Sequence, residues 1–367
     1  MIQTLLNNVL AELSKWSGVA AFTVGLDSRV EEVLELLDLK SNSIRVLGLH
    51  GPGGVGKSTL AKALYNKLVA HFENRSFISN VKKYLAQENG LLSLQIKLIG
   101  DLSGMASHVN EVNAGLVAIK SIVQEKRVLI ILDDVDDASQ LTAIAGRKKW
   151  RKWFYEGSRI IITTRDREVL HELHENELYE VKQLNSPESL QLFSHYALGR
   201  VKPTPDYLPL SKQIVSLTGG LPLALEVFGS SLYDKRKIEE WEDALQKLKQ
   251  IRPMDLQGVL KISYDGLDEQ EKCVFLDIAC LFIKMGMKKE DAIDILKGCG
   301  FRAEIGIKVL VDKSLLKIAE DYTLWMHDQL RDMGRQIVLH ENHEDLGMRS
   351  RLWDRSEILR VLQNNLV

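Results

Sequence analysis

Nine consecutive residues constrain this chain more than any other feature. Gly51-Pro52-Gly53-Gly54-Val55-Gly56-Lys57-Ser58-Thr59 fits the pattern G-x-x-x-x-G-K-[ST] in full, between an apolar run at residues 44–49 and a helical pattern at residues 60–69. A buried strand that turns through glycines into a helix lets successive backbone N–H groups converge on phosphate oxygens. The helix N-terminus adds its positive dipole end. In that setting Gly51, Gly53, Gly54, Val55, Gly56 and Thr59 form the cradle, Lys57 reaches the β- and γ-phosphates, and the Ser58 hydroxyl binds Mg²⁺. The competing reading is a glycine-rich turn with a chance lysine; the complete match in its proper setting favours nucleotide binding.

Further continuous apolar runs at residues 77–81, 128–132 and 159–163 read as strands buried on both faces, with helical patterns such as residues 91–98 between several of them. That combination predicts a parallel sheet covered by helices over residues 22–186. Ahead of it, Ile2, Leu5, Leu6, Val9, Leu10, Leu13 and Trp16 repeat as one amphipathic helix within a linker of residues 1–21. Phe22 to Gly25 reads as extended, and Ser28 with Glu31 as a capping box for a second helix.

Beyond residue 186 the strand signals fade. Ser186-Pro187 opens a helix with proline at its first position, and Pro203, Pro205 and Pro209 mark a connector. Residues 187–252 are predicted to be a helical domain. Residues 253–345 are predicted to be helices closed by two short β-like runs, 314–318 and 323–326, in the manner of a winged helix. Residues 346–367 read as a partly amphipathic tail.

Composition excludes several classes. The chain has 367 residues, 48 Lys and Arg against 50 Asp and Glu, and a net charge of −2. It lacks the overall positive charge with which nucleic-acid or anionic-lipid binders displace counterions. Cys273, Cys280 and Cys299 are too few and too clustered for a disulfide framework. Residues 274–283 are apolar apart from Asp277 and fall short of the roughly 20 residues of a membrane span. Residues 1–14 lack the basic start of a signal peptide. These features predict a cytoplasmic location and no membrane partner, and they disfavour nucleic acid as a partner while leaving room for a local basic face; the nucleus is carried as a second compartment beside the cytoplasm.

Two more runs carry chemistry. Val128-Leu129-Ile130-Ile131-Leu132-Asp133-Asp134 is a strand ending in two carboxylates. With the phosphate loop on a neighbouring strand, Asp133 would hold Mg²⁺ through water and Asp134 would orient or deprotonate an attacking water. Gly157 to Asp166 forms another strand that leaves Arg165 at its carboxyl end, the edge where ligands of open α/β sheets bind. Arg165 is placed there either to sense a γ-phosphate or to form a surface ion pair with Asp166 or Glu168.

Together with Gly219-Gly220-Leu221-Pro222-Leu223-Ala224, the run from Cys273 to Phe282, and Met326-His327-Asp328, these motifs resemble the NB-ARC region of plant NB-LRR immune receptors, within the STAND class of P-loop ATPases. Asp136, where the coiled-coil branch usually has tryptophan, resembles the TIR-type branch. So do the runs from Asn74 to Val81 and Arg349-Ser350-Arg351-Leu352-Trp353. The resemblance implies an α/β P-loop NTPase domain, a helical domain and a winged-helix domain clasped around ADP at rest. It also implies that Pro222 packs on adenine, that His327 donates to the β-phosphate with Asp328 steadying it, and that the segment containing Val24 passes the base.

By this resemblance the chain is an ADP/ATP switch and at most a slow ATPase, closed with ADP and able to self-associate with ATP. The full receptor would add a TIR domain and leucine-rich repeats, which this sequence does not contain. The NAD-cleaving chemistry of a TIR domain is therefore not expected here. The alternatives are a conventional P-loop ATPase and a winged-helix DNA-binding regulator. Residues 284–313 hold seven basic and five acidic residues, a weak footprint for DNA.

Overall fold

The computed structural model describes residues 22–85, 88–105, 109–145, 150–251, 255–343 and 345–363, so the amphipathic pattern of residues 2–16 lies outside the described residues. The chain divides into two compact units, Met1–Lys182 and Gln183–Val367.

The first unit is built on five strands: β1 (Arg45–His50), β2 (Asn74–Ile78), β3 (Val128–Val135), β4 (Arg159–Thr164) and β5 (Leu178–Glu180). All pair in parallel, in the order β2-β3-β4-β1-β5. Strands β3 and β4 are buried along almost their whole length, as their unbroken Val, Leu and Ile runs require when helices cover both faces. The crossovers carry α1 (Leu26–Leu37), α2 (Lys57–Leu68), α3 (Val81–Leu85), α4 (Gly90–Ser103), α5 (Val112–Glu125) and α6 (Ala138–Ala145).

Several expectations need correction. The acidic strand β3 is not beside β1, because β4 lies between them. Residues 22–25 form bends rather than an extended run, and Gly25, at φ 63°, is the N-cap of α1. Ser28 therefore lies inside the helix. Its hydroxyl, like Arg29 Nη1, donates to the Gly25 carbonyl, at 3.1 and 2.7 Å respectively, so no Ser28–Glu31 capping box forms. Strand β2 starts three residues earlier than the apolar run 77–81, and Val81 already begins a helix. The short edge strand β5 had no distinct signal.

At the opposite end of the sheet from the glycine loop, the fully buried Arg159 donates to the carbonyls of Leu37, Ser41 and Ser43 at 2.7, 2.9 and 2.8 Å. These bonds tie the end of α1 and the following turn to β4. Burial, with Arg127 and Arg45 nearby, pulls this guanidinium down to about 10.

The second unit begins with α7 (Ser186–Leu198), where Asn185 and Glu188 form a reciprocal capping box around Pro187. It continues through α8 (Leu208–Leu217), α9 (Pro222–Leu232), α10 (Ile238–Lys249), α11 (Leu256–Asp265) and α12 (Glu269–Asp277). Of the three connector prolines, Pro209 already lies in the first turn of α8. Trp241, fully buried, meets Phe193 edge-on at 5.9 Å in the helical part.

After α12 the backbone widens into one π-helical turn at Ile278–Phe282. Then come α13 (Lys289–Gly298), α14 (Ala303–Asp312), the antiparallel strands β6 (Lys317–Ile318) and β7 (Leu324–Trp325), α15 (Asp328–Glu341) and α16 (Arg355–Gln363). This helical set with its small hairpin is a winged helix. One apolar cluster runs from Leu223 and Val227 on α9 through Leu260, Phe275 and Ile307 to Leu330 and Met333 on α15.

Candidate functional site

The glycine loop leaves β1 at His50 and ends at Lys57, the first residue of α2. At Gly51, φ is 149° and a Cβ would lie 2.9 Å from the Val181 carbonyl oxygen, since Val181 N–H donates to His50 O at 2.8 Å. Gly56 caps α2 with φ 103°, a conformation side chains strain to adopt, and no side chain caps the helix start. Gly54 also has positive φ, and Val55 is buried beneath the loop.

Lys57 is only 7% exposed, and its Nζ donates to the carbonyls of Gly51 and Pro52 at 2.7 and 2.9 Å. Burial, and secondarily the Arg165 guanidinium, pulls its ammonium down to about 8 against the attraction of Asp134 and Asp133. A lysine this poised gains on meeting phosphate oxygens.

At the end of β3 the register slips. Leu132 pairs with Ile162 and Val135 with Thr164, so Asp133 and Asp134 together oppose Thr163. This β-bulge turns the two acids in different directions. Asp133, 6% exposed, accepts from Ser58 Oγ at 2.9 Å and from Thr163 Oγ1 at 2.6 Å. Burial raises its pKa, although both hydroxyls pull the other way. Asp134 has φ 58°, its N–H donates to Thr163 Oγ1 at 2.9 Å, and its Oδ1 stands 3.4 Å from Arg165 Nε.

Thus Lys57, Ser58, Asp133, Asp134 and Arg165 gather at one edge of the sheet, with Gly53 in the loop and Thr59 in the first turn of α2. Of the two readings for Arg165, an ion pair exists, and Asp134 is a partner that the sequence did not suggest. Val24 lies half-buried in the bend before α1, in the same unit. Asp136 pairs with Lys82 at 2.7 Å and receives the Gln140 amide, away from the two acids. Thr163 was missed because an alcohol inside an apolar run reads as a tolerated β-former. Its place two residues before Arg165 was the available signal.

Pro222 and His327 belong to the second unit. Pro222 opens α9 after Gly219 and Gly220, at φ 63° and 66°. Leu184 N–H donates to Gly220 O at 2.9 Å, and a Cβ on Gly220 would lie 2.4 Å from Leu184 O. His327 is the N-cap of α15, its Nδ1 accepting from Gln329 N–H at 3.1 Å. That acceptor role puts the proton of the neutral ring on Nε2, which makes Nε2 a donor. Asp328 pairs with Arg331 at 2.7 Å, one helical turn on.

The donor set suits a small hard cation only in part. Ser58 and Asp133 offer oxygen ligands of the kind Mg²⁺ takes. Among the described residues, however, no group of three His, Cys, Asp or Glu could hold a metal alone. A cation here would need phosphate oxygens to complete its shell. No helix among the described residues is long and apolar enough to cross a membrane.

Comparison with known proteins agrees with this geometry. Residues 26–201 match the NB-ARC domain, and residues 268–342 match the winged-helix domain described as disease resistance protein Roq1-like. Disease resistance protein RUN1 of Vitis rotundifolia is 43% identical over 341 residues, covering 92% of this chain and 25% of that protein. Disease resistance protein RPV1 of the same species is 41% identical, over 98% of this chain and 26% of its own length. TMV resistance protein N of Nicotiana glutinosa is 39% identical, over 93% of this chain and 29% of its own length. The chain thus spans about a quarter of the length of the curated relatives it matches.

Proposed function

The chain belongs, through residues 26–201, to the NB-ARC family and, through residues 268–342, to the Roq1-like winged-helix family of disease resistance proteins, and on that premise we propose that it is the ADP/ATP switch of a plant immune receptor. In this reading residues 22–186 bind the nucleotide, residues 187–252 and 253–345 are the helical and winged-helix clasps, and residues 1–21 and 346–367 are linkers. The intact receptor carries a TIR domain and leucine-rich repeats, works in the cytoplasm or nucleus, and self-associates when ATP replaces ADP.

The observation that carries the reading is the Arg165–Asp134 pair beside a phosphate-loop lysine. Arg165 already has an anionic partner, so a diphosphate leaves the pair intact. A third phosphate competes with Asp134 for the guanidinium. The two nucleotides then differ by at least one charged contact, and only such a difference can move a switch. Driving a population from 1:99 to 99:1 takes about 5.5 kcal/mol of differential affinity.

The other residues take parts that follow from their chemistry. Lys57 exchanges the Gly51 and Pro52 carbonyls for phosphate oxygens, and the loop N–H groups point at the same charge. The Ser58 hydroxyl would bind Mg²⁺ and Asp133 would hold it through water, and the ion when bound would neutralise phosphate charge. Asp134, freed from Arg165, orients water for slow hydrolysis. By the family resemblance, Pro222 would cover the adenine, Val24 would flank it, and the Nε2–H of His327 would donate to the β-phosphate.

Steady-state hydrolysis under excess Mg²⁺ and ATP separates this reading from a conventional ATPase. The switch predicts turnover on the order of 10⁻³ s⁻¹ or slower, with nucleotide retained through gel filtration. Sustained turnover of about 1 s⁻¹ or faster, with free exchange, would contradict it.

A further inference from the structure

Building on the nucleotide reading above, we propose that Thr163 is a positioning residue whose single hydroxyl couples the Mg²⁺ ligand Asp133 to the Asp134–Arg165 pair. Thr163 is 1% exposed near the end of β4, the strand inserted between the glycine-loop strand β1 and the acidic strand β3. It faces the bulge, where β3 spends two residues against one on β4.

A hydroxyl has one proton to give and lone pairs with which to accept. Thr163 uses both sides on adjacent residues. The proton goes to Asp133 Oδ1 at 2.6 Å, and a lone pair takes the backbone N–H of Asp134 at 2.9 Å. The first bond is short, as bonds to a carboxylate are. The second satisfies an N–H at the point where the bulge interrupts the ladder.

Asp133 is thereby aimed at Ser58, and Asp134 is held at positive φ toward Arg165, itself two residues beyond Thr163. Any shift of the Asp133 carboxylate would pull on the hydroxyl that anchors the Asp134 backbone, and so would reach the Asp134–Arg165 pair. Metal occupancy and phosphate count are then read together. Removing the hydroxyl uncouples them.

The test uses Thr163→Val, which keeps the shape of the strand residue, and Thr163→Ser, which keeps the hydroxyl. The Mg²⁺ benefit is measured as the ratio of ADP Kd in EDTA to that in excess Mg²⁺. ATP is titrated in parallel, and thermal melting monitors the fold. The valine variant is expected to lose about tenfold or more of this ratio, and to lose the part of the difference between ATP and ADP affinity that depends on Arg165, while its ADP affinity in EDTA stays within about twofold of wild type. Serine is expected to restore both.

An undiminished ratio in the valine variant overturns the coupling. So does equal loss in EDTA and in Mg²⁺, a serine variant as impaired as valine, or a wild-type ratio near one. Should valine not fold, the serine variant decides: wild-type behaviour supports the coupling and a lost ratio defeats it. Wild-type protein that binds no adenine nucleotide in either buffer defeats the underlying reading, and the coupling with it.

Discussion

Arg165 Nε lies 3.4 Å from Asp134 Oδ1, pairing the last charged side chain of one strand end with the second acid of another. The pair makes Arg165→Ala an informative substitution. ATP affinity is expected to fall by about tenfold or more, the worth of one hydrogen bond to a charged group, while ADP affinity stays within about twofold. Competition titration of the two nucleotides checks this, and an equal loss for both would assign Arg165 to general binding.

Lys57 makes affinity depend on pH with a definite sign. Its ammonium is pulled down to about 8 in the free protein. Phosphate favours the charged form and raises that value on binding. Below pH of about 8 lysine is charged in both states and affinity is flat; above it, binding takes up a proton and affinity falls as pH rises. Calorimetry in buffers of different ionisation enthalpy detects the uptake, and flat affinity to about pH 9.5 without proton uptake would exclude this role.

Replacing the same side chain tests geometry rather than charge. Lys57 is buried against two loop carbonyls, and the guanidinium of Lys57→Arg is too broad and flat for that slot. The variant is expected to lose nucleotide on purification and to bind ADP about tenfold or more weakly. Undiminished bound nucleotide would contradict the assignment.

Gly220→Ala tests the turn before Pro222. The new Cβ would meet Leu184 O at 2.4 Å in a backbone with φ 66°. Left-handed strain alone costs roughly 1–2 kcal/mol, so the melting temperature is expected to drop by about 4 °C or more. An unchanged melting curve would show that the turn relaxes freely.

Asp328→Val removes the partner of Arg331 and the acid at the start of α15, just after His327. The helix start loosens, and ADP release is expected to quicken by roughly fivefold or more, the effect of about 1 kcal/mol. Stopped-flow release of a fluorescent ADP analogue measures this, and an unchanged rate counts against the histidine contact.

Much of the sheet could be read in advance because β3 and β4 are apolar on both faces, and the glycine loop identified its own strand and helix. Their order could not. A run such as Val128 to Leu132 carries no record of its neighbour, and β4 proved to lie between the two strands that carry the motifs. Local caps were equally hidden. Ser28 and Glu31 have the right spacing for a capping box, yet Gly25 starts the helix three residues earlier because glycine adopts the left-handed turn without strain.

The acids of the site were legible as Asp133-Asp134, but the bulge that separates their directions depends on Thr163, a long-range partner. Arg165 was legible at the strand end, while its pairing with Asp134, on a different strand, required the fold. The second unit disclosed its first helix at Ser186-Pro187 through proline, and its hairpin falls within the runs 314–318 and 323–326, although only Lys317–Ile318 and Leu324–Trp325 of these pair as strands. The π-helical turn within the Cys273–Phe282 run had no sequence signal.

The central claim is that the chain rests with ADP held in the site formed around Lys57, Ser58 and Asp133. Denaturing freshly purified protein and identifying the released nucleotide by ion-exchange chromatography tests it most directly. The account predicts close to one equivalent of ADP per chain. Protein that is folded, able to bind added nucleotide, and yet releases ATP alone or nothing would contradict it.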